Sequence, residues 1–180
     1  MQLDFYKYQG TGNDFVVIDD RNCHFNVNNK QKIRKICDRR KGIGADGLIL
    51  LRKHQKADFE MLYFNSDGNI GTMCGNGARC LVDFAHFLGI IDDNCTFFAC
   101  NDFYEAKWTK ENIELKMIDI CEVEVNDDFI YLNTGSPHYV KFVKDLENYP
   151  VYGINLAARE VSGDFFSFYP HNDSVYFIIA

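Results

Sequence analysis

The chain has 180 residues, 47% of them hydrophobic and 15% aromatic, and 19 Lys and Arg against 26 Asp and Glu give a net charge of −7. That length fits one domain or two small ones sharing an interface; the apolar content excludes a disordered chain, and the acidic balance argues against general binding to phosphate backbones. No apolar run reaches the roughly 18 residues of a membrane-spanning helix, and MQLDFYKYQG lacks a basic stretch followed by an apolar one, so a soluble cytoplasmic protein is expected.

In chain order, LDFYKYQG is aromatic-rich and alternating and reads as a strand, GTGND as a turn, and Phe15 to Asp19 as a second strand. Asn29 precedes a segment in which Ile33, Ile36 and Cys37 fall at helical spacing. GLILL and FEMLYF read as two further strands, followed by the polar, Gly-rich NSDGNIGTMCGNGARC. Cys80, Leu81, Phe84, Phe87 and Leu88 then mark one face of a helix that stops at Gly89. CTFFAC, YEAKW, NIELKM, EVEV and FIYLNTG are short strand-like pieces. This order predicts an α+β fold, mostly antiparallel sheet with few helices. The aromatic tail after Tyr152 has two readings: a truncated or altered end, or a last strand inserted into a sheet made earlier.

Seven cysteines, an odd number without a CxxC pair, argue against both a disulfide framework and structural zinc, so most are expected to be buried small hydrophobes. The basic run from Lys30 to Lys41 reads either as an anion patch or, with Ile33 and Ile36 interleaved, as the solvated face of an amphipathic helix.

Cys74 differs from the other cysteines by its neighbours. It directly precedes GNGAR and an amphipathic helix, where unpaired backbone N–H groups and the helix dipole are expected to lower a thiol's pKa below its usual value of about 8.5. Glycines there let N–H groups converge on an anion such as a carboxylate. The plain alternative is a buried cysteine at an ordinary Gly-rich turn.

GTGNDF, GIGADG, FNSDG, CGNGARC and TGSPH stand in the order and spacing of diaminopimelate epimerase. From Met1 to about Pro150 the chain resembles that family of cofactor-independent amino-acid epimerases and racemases. The resemblance implies interconversion of LL- and meso-diaminopimelate in lysine biosynthesis, with no cofactor and no metal. It also implies two similar domains, each a curled sheet around a central helix, and two cysteines facing opposite sides of the substrate α-carbon. Cys74 then matches the first catalytic cysteine, Gly75 and Asn76 adjoining contacts to the substrate carboxylate or amine, and Asn13 and Asn65 substrate-binding asparagines. Gly47 stands where many members have a binding glutamine. Ser136 stands where an asparagine is frequent, and its hydroxyl keeps it a candidate contact. His138 is expected to hold its turn together, and Cys80 to lie in the core.

Members of the family are longer, and their second half supplies the other cysteine, an asparagine and a Glu-Arg pair. After about Pro150 nothing in this sequence matches them, and no cysteine follows Cys121. The expectation is an N-terminal epimerase domain over 1–119, built as a curled antiparallel sheet around a central helix. Residues 120–180 would be the start of an incomplete second domain plus a divergent tail. The expected function is diaminopimelate epimerase, inactive if this truncated chain acts alone. The alternatives are a non-catalytic ligand-binding or dimerising remnant, and an isomerase of the same fold with another substrate. Diaminopimelate is the expected partner, with no nucleic acid and no membrane, and a homodimer is left open.

Overall fold

Five consecutive apolar or glycine positions, Gly47 to Leu51, are all buried, as befits a strand covered on both faces. That strand is the centre of the first of two compact units, Met1–Met117 and Ile118–Ala180, in a computed structural model that describes residues 3–134, 137–142, 167–171 and 175–179. In the first unit β1 (Tyr6–Gly10), β2 (Asn13–Asp19), β3 (Gly47–Arg52), β4 (Phe59–Asn65), β5 (Asn94–Ala99), β6 (Asp102–Trp108) and β7 (Ile113–Lys116) form one sheet in chain order. Two helices complete it, α1 (Lys30–Cys37) and α2 (Gly75–Phe87).

The sheet is mostly antiparallel, as the sequence predicts, but it is mixed. The β2–β3 and β4–β5 pairs are parallel, because a helix lies between the members of each pair and returns the chain to the same end. The other four pairings are antiparallel. Helix α1 seals one face, where Ile33 and Cys37 join Val16, Ile18, Leu48, Leu50 and Phe64. The alternate residues Phe15, Val17, Ile49 and Leu51 are buried too, on the side of α2.

Helix α2 touches both edge strands, β1 and β7, and most strands between them. A sheet can meet one helix along both edges only by curling round it. Tyr6 and Tyr8 pack on Phe84 from one edge, at 4.8 and 5.9 Å between ring centroids. From the opposite side Trp108 stacks on His86 at 3.6 Å and donates its indole N–H to Asp83 at 2.8 Å. The helix ends where its sequence predicts: Gly89 has φ 66°, with Gly89 N–H on the His86 carbonyl and Ile90 N–H on the Ala85 carbonyl. This is a Schellman cap.

The second unit holds β8 (Val123–Val125), β9 (Ile130–Asn133), β10 (Pro137–Val140), β11 (Ser167–His171) and β12 (Val175–Ile179), ordered β11-β12-β10-β9-β8 and all antiparallel. The apolar run at 175–179 thus pairs between β11 and β10.

The cysteines depart from expectation. Cys37, Cys80 and Cys95 are buried and Cys74 is half-buried, but Cys23, Cys100 and Cys121 are exposed. Cys23 and Cys100 have positive φ, 55° and 50°, so they serve turns, and turns lie at surfaces.

Candidate active site

Strand register brings the separated glycine-rich motifs to one end of the first sheet. Gly10 pairs with Asn13 across a two-residue turn in which Thr11 and Gly12 have φ 53° and 85°, the geometry of a type I′ hairpin. Phe15 pairs with Gly47, and Gly47 with Asn65. With side chains alternating along each strand, Asn13, Phe15, Gly47, Tyr63 and Asn65 share the face on which α2 lies. The turn itself lies against the start of that helix: a β-carbon at Gly10 would stand 3.5 Å from Asn76 Cβ.

Cys74 is the N-cap of α2, with extended backbone (φ −113°, ψ 108°) and its Sγ accepting from Gly77 N–H at 3.4 Å. Ser, Thr, Asp or Asn would cap better, so a thiol here costs some helix stability. Gly77 is required by close approach, since a β-carbon there would be 2.9 Å from Ile49 Cδ1 and 3.5 Å from Cys74 Sγ. The thiol also lies 3.8 Å from the Asn13 amide oxygen, to which it donates. Burial pushes the Cys74 pKa up, and this outweighs the lowering by Gly77 and Asn76 N–H groups and by the Arg79 charge. The lowered pKa expected from the helix terminus alone is therefore corrected: the buried position favours the neutral thiol.

Asn13 is held from behind. Its amide donates to Asp46 Oδ2 at 2.8 Å, and that same oxygen accepts Asp14 N–H at 3.1 Å. Arg39 bridges Asp46 and Asp14, at 2.7 Å to each, and Lys7 adds a further contact to Asp14 at 2.7 Å. Arg39, with Lys7, holds the Asp14 carboxyl well below the usual carboxylate range despite partial burial. The side-chain amide thus has its orientation fixed: the NH2 is spent on Asp46 and the oxygen is left to face the thiol.

A family model described as diaminopimelate epimerase matches residues 5–119. The chain belongs to the diaminopimelate epimerase family. It is 52% identical over 150 residues to diaminopimelate epimerase of Flavobacterium psychrophilum, covering 83% of this chain and 59% of that one. It is 45% identical over 152 residues to that of Chlorobaculum tepidum, covering 79% and 58%, and 36% identical over 178 residues to that of Aquifex aeolicus, covering 87% and 63%. The chain therefore spans about three fifths of the length of these relatives. Among solved structures, a phenazine biosynthesis protein of Clostridium difficile has a similar fold, with TM-score 0.60 at 16% identity over 98% of this chain and 74% of that one. A PhzF-family protein of Bacillus anthracis gives TM-score 0.57 at 12% identity over 77% and 54%.

Of the residues matched to the family's motifs, Cys74, Gly75, Asn76 and Asn13 come together directly at the start of α2. The Gly75 carbonyl accepts from Arg79 at 3.2 Å, and the Asn76 N–H is directed at the thiol. Asn65 joins the same end by register, at the last position of β4, with Oδ1 facing Gly71. Ser136 lies outside the described residues. His138 is half-buried in β10, with Nδ1 3.5 Å from Thr134 Oγ1.

Gly47, the departure from the glutamine of many members, has no room for any side chain. A β-carbon there would be 2.4 Å from Tyr63 Cε2 and 2.7 Å from the Phe64 carbonyl oxygen. Sequence reasoning also missed Asp46, Asp14 and Arg39. The two acids were visible inside GTGNDF and GIGADG, but nothing in their spacing says that one arginine joins them. That arginine comes from the basic run. Lys30 there donates to Asn69 at 2.7 Å and Arg34 to the Asp67 carbonyl, so part of the run pins the FNSDG turn instead of lying free in solvent.

Proposed function

We propose that the chain carries the first-cysteine half of a diaminopimelate epimerase, with 1–119 as its epimerase domain. It binds diaminopimelate at the end of the sheet marked by Asn13, Asn65, Gly75 and Asn76, and Cys74 exchanges a proton with the substrate α-carbon. Ser136 is proposed as a further contact, and a cytoplasmic location goes with the reading. The observation that carries it is the thiol of Cys74 at the head of α2, 3.4 Å from Gly77 N–H and 3.8 Å from the Asn13 amide.

An α-proton beside an ammonium and a carboxylate is a very weak acid, and without a cofactor the protein must supply fixed donors and exclude water. The start of α2 supplies such donors without reorganisation. Since burial favours the thiol, Cys74 rests as the acid. When it ionises, the Gly77 and Asn76 N–H groups and Arg79 receive the charge. Inversion needs a second acid or base on the opposite face of the carbon. Among the seven cysteines only Cys74 opens a helix through Gly-Asn-Gly.

The test is incubation of the 180-residue chain in D2O with LL- or meso-diaminopimelate, with the α-proton followed by NMR. We expect slow exchange with retention, abolished in Cys74→Ala. Rapid inversion by this chain alone would overturn the one-sided assignment. Recovery of turnover on adding a separately expressed C-terminal half of a relative would support it. Binding with no exchange at all would favour a ligand-binding form of the fold without turnover.

A further inference from the structure

Beside the residues that match the family's motifs stands one the motifs do not contain. Tyr63 projects from β4 onto the α2 face two positions before Asn65, and its ring meets that of Phe15 edge-on at 5.9 Å. Both edges of the ring are flanked by glycine backbone. A β-carbon at Gly47 would stand 2.4 Å from Cε2 and 3.1 Å from Cζ, and one at Gly71 would stand 2.4 Å from Cδ1 and 2.5 Å from Cε1. Such contacts are impossible for real side chains, so the two glycines make a slot that fits this ring and fixes its plane. Gly71 is also the neighbour of the Asn65 amide oxygen, which puts Tyr63 and Asn65 on one wall.

The hydroxyl at the end of that ring has no hydrogen bond among the described residues. Half-buried tyrosines usually satisfy this group. Burial above all pushes the phenol pKa up, which keeps the group a neutral donor. Packing ties the ring to the site: Phe15, which it meets, stands two positions after Asn13, and Ile49, its register partner on β3, lies against Gly77. Asp46 is already occupied by Asn13 and Arg39. The first turn of α2, with the Arg79 cation beside Gly75, makes this end of the sheet favourable for an anion.

We propose that Tyr63 is a carboxylate-binding residue of this site, donating its hydroxyl to the carboxylate of an amino-acid-like ligand whose α-carbon is presented to Cys74. The assignment rests on the functional reading above and adds to it the group that faces the α2 N-terminus across the ligand. The slot explains why the position tolerates a large ring so close to the chemistry: the ring is immobilised in advance, so the donor is oriented at little entropic cost.

The experiment compares two alkylating probes of one size at Cys74, iodoacetate and iodoacetamide, with Cys23 in the same chain as the exposed reference. In each reaction the Cys74 thiolate forms a C–S bond and iodide leaves, so the reagents differ only in carboxylate against amide. Relative to Cys23, wild-type Cys74 should favour iodoacetate. Tyr63→Phe keeps the ring in its slot and removes a hydroxyl that holds no protein partner, so the fold, checked by thermal melting, should persist. In this variant the iodoacetate rate at Cys74 should fall roughly tenfold, the size of one lost hydrogen bond to a charged group, with the iodoacetamide rate unchanged. A purely structural role would move both rates together or neither. An unchanged ratio in Tyr63→Phe overturns the proposal; should that variant unfold, the same ratio read in Tyr63→Leu decides it. A ratio that depends on Tyr63, with no protection of wild-type Cys74 by diaminopimelate, would uphold the carboxylate contact while removing diaminopimelate as its ligand.

Discussion

At Cys74 two opposing effects meet on one atom. Helix position alone argues for a thiolate, because two N–H groups and a nearby arginine favour charge. Burial argues against it and wins. Alkylation by iodoacetamide across pH, in a variant retaining only this cysteine, should therefore show half-maximal reactivity above the ordinary thiol value of about 8.5. Arg79→Gln, which removes a favourable cation, should move the midpoint higher still. A midpoint below the ordinary value would mean that the donors outweigh desolvation after all.

Helix α2 approaches the sheet most closely at its first turn, at Gly77. Ile49 and Met61 sit where a side chain at position 77 would go, so Gly77→Ala must push the helix start away from β3 and β4 or distort both side chains. Overpacking of this kind costs about 1–3 kcal/mol, and here it would also move Cys74 relative to Asn13. Urea unfolding should report the stability loss, and the iodoacetamide rate at Cys74 the displacement. The β3 strand offers a second test. Asp20 follows β2 and is almost wholly buried, accepting Arg52 Nε and Phe25 N–H, both at 2.8 Å. Asp20→Ala leaves Arg52 and that N–H without their acceptor and should cost about 3 kcal/mol in the same assay.

Across the whole first unit, buried thiols make stability depend on alkaline pH. Burial raises Cys37 to about 11, Cys95 to about 11 and Cys80 to about 12. A raised folded-state pKa gives stability that is intact below the unfolded thiol value of about 8.5 and is lost as pH rises towards the folded values. Within that window each thiol should cost about 1.4 kcal/mol per pH unit. Urea midpoints measured from pH 7 to 10.5 should fall steadily above pH 8.5. Cys80→Ala, though less stable throughout, should show a shallower fall. A flat profile would show that these thiols are wetter than their positions imply.

Local sequence determined most elements of the first unit, because they depend on neighbours in the chain. Two-residue alternation and apolar runs gave the strands, spacing of Ile33 with Cys37 gave α1, and Gly89 gave the end of α2. Cys74 was likewise legible as the residue opening a helix, whereas Asn13 and Asn65 were candidates through the resemblance of GTGNDF and FNSDG to the family's motifs. Strand direction was not legible: the helix between β2 and β3 was, but whether the strands flanking it become neighbours in the sheet is decided by packing. The reach of Arg39 to Asp14 and Asp46 was hidden for the same reason, as was the slot that Gly47 and Gly71 make for Tyr63. So was the pKa of Cys74, whose sign turns on how deeply the folded chain buries it. These are contacts between distant segments, and only the packed sheet and helix bring them within range of one another.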